Sequence, residues 1–264
     1  MLMKDQVVLI TGAGRGWGRG IAQQFGRQGA RVIAVSRTQA EIDQTVALCC
    51  SDQSDVEGLS VDVSDEIAMR SLAEYVLLKY ERLDVLVNNA AMLLFRPFED
   101  CSLEDIDRVL GVNLRGVMLG CKFFLEAMKA QGGGSMINVS SRAGVMPFAN
   151  QTLYGASKYA LEGFTKCLAM EIKQYNISAN TITPGGGSTG KRLKPTSLTQ
   201  SDYDKLSPEE QAKYADPILY SEAFVYLGLQ RGDGLTGARI EAYELSERIR
   251  QEGYNITVDP VRGY

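Results

Sequence analysis

The chain of 264 residues contains no histidine. That absence removes imidazole both as a base near neutral pH and as a metal ligand, so any proton transfer near pH 7 must use another side chain. The five cysteines, Cys49, Cys50, Cys101, Cys121 and Cys167, show no C-x-x-C spacing. An odd number of thiols without histidine partners argues against both a zinc site and a disulfide framework. No segment is apolar over the roughly 18 residues that a membrane span needs. A formal net charge of -4 offers no general attraction to nucleic acid or anionic lipid. Internal repeats, low-complexity tracts and Pro/Gly/Ser linkers are absent as well. With 45% hydrophobic and 23% charged residues, the expectation is one well-filled domain in the cytoplasm, with no nucleic-acid or membrane partner.

What is present is an alternation. Short β-branched runs at residues 7–10, 31–35, 58–61, 84–87, 135–139, 178–182 and 238–242 are separated by stretches long enough for crossover helices. That order predicts βαβ units wound into a parallel sheet covered by helices on both faces, an α/β fold. In such sheets ligands bind beyond the carboxyl ends of the strands, where the strand order reverses. Residues 185–208 stand apart. They open on three glycines and carry Lys191, Arg192 and Lys194, which reads as a loop or small helical lid.

The first run leads directly into Thr11, Gly12, Arg15, Gly16, Trp17 and Gly18, followed by the helix-spaced apolar residues Ile21, Ala22 and Phe25. Glycines there let the backbone turn tightly against a pyrophosphate, whose charge is favoured by the N–H groups and dipole of the helix start. The second run ends at Ser36 and Arg37 rather than at an acid. An acid would repel a 2′-phosphate, whereas Ser36 does not. Arg37 and Arg15 offer it two cations, which favours NADP(H) over NAD(H).

Tyr154 and Lys158 are one helical turn apart, with Ser141 upstream. A phenol is a poor base at neutral pH unless a cation beside it favours the phenolate. Lys158 would supply that field from the same helix face. Together the residues describe a site that moves a hydride and a proton.

The chain resembles the classical short-chain dehydrogenase/reductases. The resemblance runs over about residues 5–243 and rests on Thr11-Gly12-x-x-x-Gly16-x-Gly18, Asp62-Val63, Asn88-Asn89-Ala90-Ala91, Asn113, Ser141, Tyr154-x-x-x-Lys158, and Pro184-Gly185 with Thr189. It implies a Rossmann-type doubly wound sheet in a single domain. It also implies that Tyr154 is the acid/base in interconverting a carbonyl and an alcohol. Ser141 would bond the substrate oxygen, Lys158 the nicotinamide ribose, and Asn113 a water that returns protons. Asp62 and Val63 would contact adenine, and Asn89, Ala90 and Ala91 would border the cofactor. Pro184, Gly185, Gly187 and Thr189 would lie near the nicotinamide. Residues 103–129 and 154–174 match helices that join subunits in the family, so a homodimer or homotetramer is implied.

Several residues depart from the family pattern. Ala91 stands where a glycine is usual, Trp17 where an aliphatic residue is usual, and Gly186 and Gly187 where larger residues are usual. Leu93, Leu94, Met146 and Phe148 suggest a partly apolar substrate pocket. The closing acidic-diglycine signature is missing. Residues 1–243 would form the catalytic unit and 244–264 an extension, with Glu244 and Arg248 spaced for a short helix that covers a pocket or a neighbouring subunit. The other function class, a nucleotide sensor that keeps the fold without chemistry, does not require a positioned phenol.

Overall fold

The computed structural model describes residues 1–51, 54–184, 192–193, 205–211, 214–215 and 217–259. Along the chain lie β1 (Val7–Thr11), α1 (Gly16–Arg27), β2 (Arg31–Ser36), α2 (Gln39–Ser51), β3 (Asp55–Ser60), α3 (Glu66–Tyr80) and β4 (Val85–Asn88). After them come α4 (Leu103–Leu110), α5 (Gly116–Ala130), β5 (Gly134–Val139), α6 (Thr152–Ile172), β6 (Ile177–Thr183), β7 (Arg192–Leu193), α7 (Pro208–Gln211) and β8 (Tyr214–Ala215). The last elements are α8 (Glu222–Gly228), β9 (Arg239–Glu241) and α9 (Ala242–Glu252).

Seven of these strands make one sheet in the order β3-β2-β1-β4-β5-β6-β9, and every neighbouring pair is parallel. The order reverses between β1 and β4, so their carboxyl ends bound the ligand crevice of a doubly wound sheet. Among the described residues, β7 and β8 form a separate parallel pair.

Alternation along each strand builds two cores, because successive side chains point to opposite faces. Val8 and Ile10 of β1 join Phe25, Ile42, Phe224 and Leu245 on the side of α1, α2, α8 and α9. Val7 and Leu9 join Met69, Phe124 and Leu161 on the side of α3, α5 and α6. Nearly every core strand residue is 0–1% exposed, which explains why these runs read as continuously apolar.

The element ends correct the expectations in three places. The third strand begins at Asp55 rather than at 58, pairing from Arg31↔Asp55 to Ser36↔Ser60. It is an edge strand in which polar Asp55 and Glu57 alternate with Val56, so the apolar pattern marks only its second half. The fourth strand runs Val85–Asn88 rather than 84–87, because Asp84 is turned back to accept from the Val7 N–H at 2.8 Å. The last is only Arg239–Glu241, since α9 starts at once at Ala242.

Candidate active site

The glycine turn closes on the first residues after β4. The Thr11 hydroxyl accepts the Asn89 and Ala90 N–H groups at 3.0 and 3.1 Å, and Asn89 Nδ2 donates to the Thr11 and Gly12 carbonyls at 2.9 and 3.1 Å. Asn89 therefore braces the turn with its side chain. A Cβ at Gly18 would lie 2.2 Å from the Gly12 oxygen and 2.6 Å from Asn89 Nδ2, so that position admits only glycine. Gly16 differs: its φ is +54° and a Cβ there would meet nothing within 4 Å.

Two residues that no motif pointed to hold the turn from the other side. Buried Thr45 of α2 donates to the Ala13 carbonyl at 2.9 Å, and Arg19 of α1 reaches the Gly14 carbonyl and Thr45 Oγ1. Trp17 meets Tyr220 edge-on with ring centroids 5.1 Å apart, and Tyr220 meets Tyr243 of α9 at 5.4 Å. The unusual tryptophan thus joins the turn to the C-terminal helix. That helix packs on α8 of its own chain, and Leu245 and Ile249 are buried there. Tyr254, Ile256 and Val258 continue against the same core. Arg248 pairs with Glu252 at 3.4 Å, not with Glu244.

At the end of β2, Ser36 lies against Gly14, and Arg37 stands exposed 3.8 Å from Asp62 Oδ2. Burial pulls the Asp62 carboxyl up, but hydrogen bonds from the Ser64 side chain and backbone, together with the Arg37 charge, hold it below its ordinary value. Arg15 pairs with Glu41 at 3.2 Å, so each arginine already has an acidic neighbour. Val63 is buried under α5.

Tyr154 and Lys158 share one face of α6. The Lys158 ammonium lies 5.7 Å from the Tyr154 ring centroid and donates to the Val139 carbonyl at 2.7 Å. Burial pushes the Tyr154 phenol above its ordinary value, a shift opposed by a hydrogen bond with Ser141. Burial also lowers the Lys158 ammonium to about 8. At Tyr154 burial therefore outweighs the Ser141 hydrogen bond. Ser141 Oγ accepts from the Ala143 N–H at 3.2 Å, which leaves its proton free to donate.

Asn113 sits in a wide π turn, Gly111–Arg115, between α4 and α5. Such turns recur at functional sites. Its Oδ1 accepts from the Met92 N–H at 2.7 Å, and Nδ2 donates to the Met92 carbonyl at 2.9 Å and to Ser157 Oγ at 3.0 Å. The amide is thus committed to protein partners. Ser157, which also bonds the Tyr154 carbonyl at 2.7 Å, links Asn113 to α6 and had no signal beyond its place inside the Tyr-x-x-x-Lys interval.

Pro184 is buried at the end of β6, and Ala91 is exposed at the crevice. Gly185, Gly187, Thr189, Lys191 and Lys194 lie outside the described residues, as does the Arg192 side chain.

The family model for short chain dehydrogenases matches residues 6–196. The chain belongs to the short-chain dehydrogenase/reductase family. Human L-xylulose reductase is 39% identical over 242 residues, 91% of this chain and 96% of that protein. Cyclopentanol dehydrogenase of Comamonas sp. is 32% identical over 225 residues, 85% of this chain and 90% of its own. A crystal structure of a metagenomic short-chain oxidoreductase in complex with NADP superposes with a TM-score of 0.77 at 27% identity, covering 91% of this chain and 98% of that one.

The residues of this short-chain dehydrogenase/reductase fit a nicotinamide dinucleotide. α1 follows the glycine turn with no side-chain cap and no acid in its first turn, as is also true of α6. N–H groups at a helix start behind a glycine turn favour an anion such as a pyrophosphate. At the ends of β5 and β6, Ser140 Oγ and Thr183 Oγ1 are buried with no hydrogen-bond partner among the described residues. No helix among the described residues is long and apolar enough to cross a membrane.

Proposed function

We propose that this family member is an NADP(H)-dependent oxidoreductase that interconverts a carbonyl and an alcohol, with Tyr154 as the acid/base. The observation that carries the reading is the convergence of Tyr154, Ser141 and Lys158 at the carboxyl end of β5. Bound NADP(H) supplies or accepts the hydride. Gly12, Gly16 and Gly18 let the backbone approach its pyrophosphate, and Arg15, Ser36 and Arg37 receive the 2′-phosphate. Asp62 and Val63 border the adenine. Asn89, Ala90, Ala91, Pro184, Gly185, Gly187 and Thr189 border the ribose and nicotinamide.

In reduction, Tyr154 donates its proton to the carbonyl oxygen while Ser141 holds that oxygen by a hydrogen bond. A phenol held above its ordinary pKa remains protonated at neutral pH, which suits the acid role. Lys158 orients the nicotinamide ribose. Asn113 acts by position, fixing Met92 and Ser157 around the site.

Exposed Leu93, Met146 and Phe148 give the substrate an apolar wall, and Arg142 lies over the Phe148 ring at 5.9 Å. We place the protein in the cytoplasm as a homo-oligomer, dimer or tetramer, joined through α4, α5 and α6, where Leu103, Met118 and Met170 are exposed. Residues 1–243 form the catalytic unit, in which Tyr243 steadies the Trp17 turn through Tyr220, and 244–264 form an extension. The test is NADPH oxidation over a panel of ketones, aldehydes and sugars. Binding of NADPH with no oxidation on any carbonyl, and no NADP+ reduction on the matching alcohols, would contradict the reading.

A further inference from the structure

The helix that carries Tyr154 and Lys158 places another ionisable group one turn further on. Glu162 is 6% exposed, yet its carboxylate is filled. One oxygen accepts from Arg239 Nη1 of β9 at 2.5 Å, and the other accepts from the Thr181 hydroxyl of β6 at 2.8 Å. The Arg239 side chain is equally buried, and its second nitrogen reaches Glu241 at 3.0 Å. Lys158, 2% exposed, is held by a neutral carbonyl rather than a counter-ion. Charge therefore alternates from the site into β9: Lys158, Glu162, Arg239, Glu241.

We propose that Glu162, clamped by Arg239 and Thr181, is a positioning residue that keeps Lys158 charged. The proposal rests on the reading of Lys158 as the charged partner of Tyr154. A pair buried this deeply is a weak source of stability, because desolvating both ions offsets their attraction, so its presence asks for another role. A carboxylate one turn along the same helix face favours the charged form of a buried ammonium. Burial drives Lys158 down, and the Glu162 charge is the one influence that opposes the fall. Arg239 has two effects: it holds the carboxylate in place, and its own charge works against the protonated lysine. Arg239 acts on Lys158 chiefly through Glu162, whose ionised form it holds in place. Among the described residues, other charged or titratable groups along this line of charges include Tyr154 on α6, Arg142 after β5, and Glu241 and Glu244 beyond Arg239. Asn113 and Ser157 are neutral.

The test is an NMR titration of the full-length, cofactor-free protein labelled with 13C at lysine Cε, with the Lys158 signal assigned by its loss in Lys158→Arg. Glu162→Gln should lower the Lys158 midpoint by about one pH unit. Glu162→Asp, which keeps the charge, should stay near wild type. A midpoint unmoved or raised in Glu162→Gln overturns the proposal. Should Glu162→Gln fail to fold, the double variant Glu162→Met with Arg239→Leu fills the space with apolar groups. Its midpoint should fall, and an unchanged one overturns the proposal. No substrate is needed, so a lowered Lys158 midpoint in a Glu162→Gln protein without turnover would uphold the tuning while the oxidoreductase reading fails. Where turnover is found, the alkaline limb of kcat/KM for carbonyl reduction should follow the Lys158 midpoint.

Discussion

The Lys158 ammonium sits 5.7 Å from the centre of the Tyr154 ring and is tied to the Val139 carbonyl at 2.7 Å. One turn of α6 sets the first relationship and the end of β5 sets the second. Helix and strand together therefore aim the cation.

That burial has a pH signature. The Lys158 pKa falls from 10.5 to about 8 on folding, so between these values the unfolded chain binds more protons than the folded one. Stability contributed by this position must then rise with pH across that window. Lys158→Met removes the titration. Its Tm minus that of wild type should be most positive below pH 8 and should decline as the pH rises toward 10.5. A difference that stays constant across the window would mean that Lys158 titrates normally.

Two glycines of one turn should separate folding from binding. Gly18→Ala forces a Cβ to 2.2 Å from the Gly12 oxygen, so both Tm and NADPH affinity should drop. Gly16→Ala has open space and a left-handed φ of +54°. It should cost only about 1 kcal/mol of stability while weakening NADPH, because the new methyl occupies the cofactor's side. Trp17 is the chain's sole tryptophan, so its fluorescence reports the binding directly.

Cofactor choice should turn on Arg37. Losing charge-assisted bonds to a 2′-phosphate costs about 1.5–3 kcal/mol. Arg37→Ala should therefore weaken NADPH by roughly 10- to 100-fold and leave NADH nearly unchanged. Equal effects on both cofactors in a competition titration would reject the NADP(H) assignment.

Subunit assembly should depend on the exposed apolar side chains of α4 to α6. Met170 is 75% exposed on α6, and a charge there costs the isolated subunit little. Met170→Glu should shift the protein toward smaller species in light scattering without lowering the monomer's helical content. An unchanged mass would move the interface elsewhere.

Much of the site was legible because its signals are local. Glycine spacing after β1 and the one-turn interval from Tyr154 to Lys158 each lie within a few residues of chain. The parallel sheet covered on both faces followed from the βαβ alternation, whereas the order of its strands came from the structure. What stayed hidden depends on distant pairs. Glu162 meets Arg239, 77 residues away, only because β6 and β9 are neighbours in the sheet. Arg19 and Thr45 brace the glycine turn from two helices, with no periodicity to mark them. The commitment of Asn113 to Met92 is likewise invisible without the wide turn that brings its amide to the backbone after β4. Polar residues on the edge strand β3 hid its first half, and the missing diglycine gave no hint that α9 packs on α8.

The most direct test compares wild type with Tyr154→Phe in NADPH oxidation on a carbonyl that the wild type reduces, after Trp17 fluorescence has shown that both bind NADPH. Proton transfer by Tyr154 predicts that kcat falls by roughly a hundredfold or more in the variant, with NADPH affinity retained. A variant that binds NADPH and turns over at the wild-type rate would contradict the account.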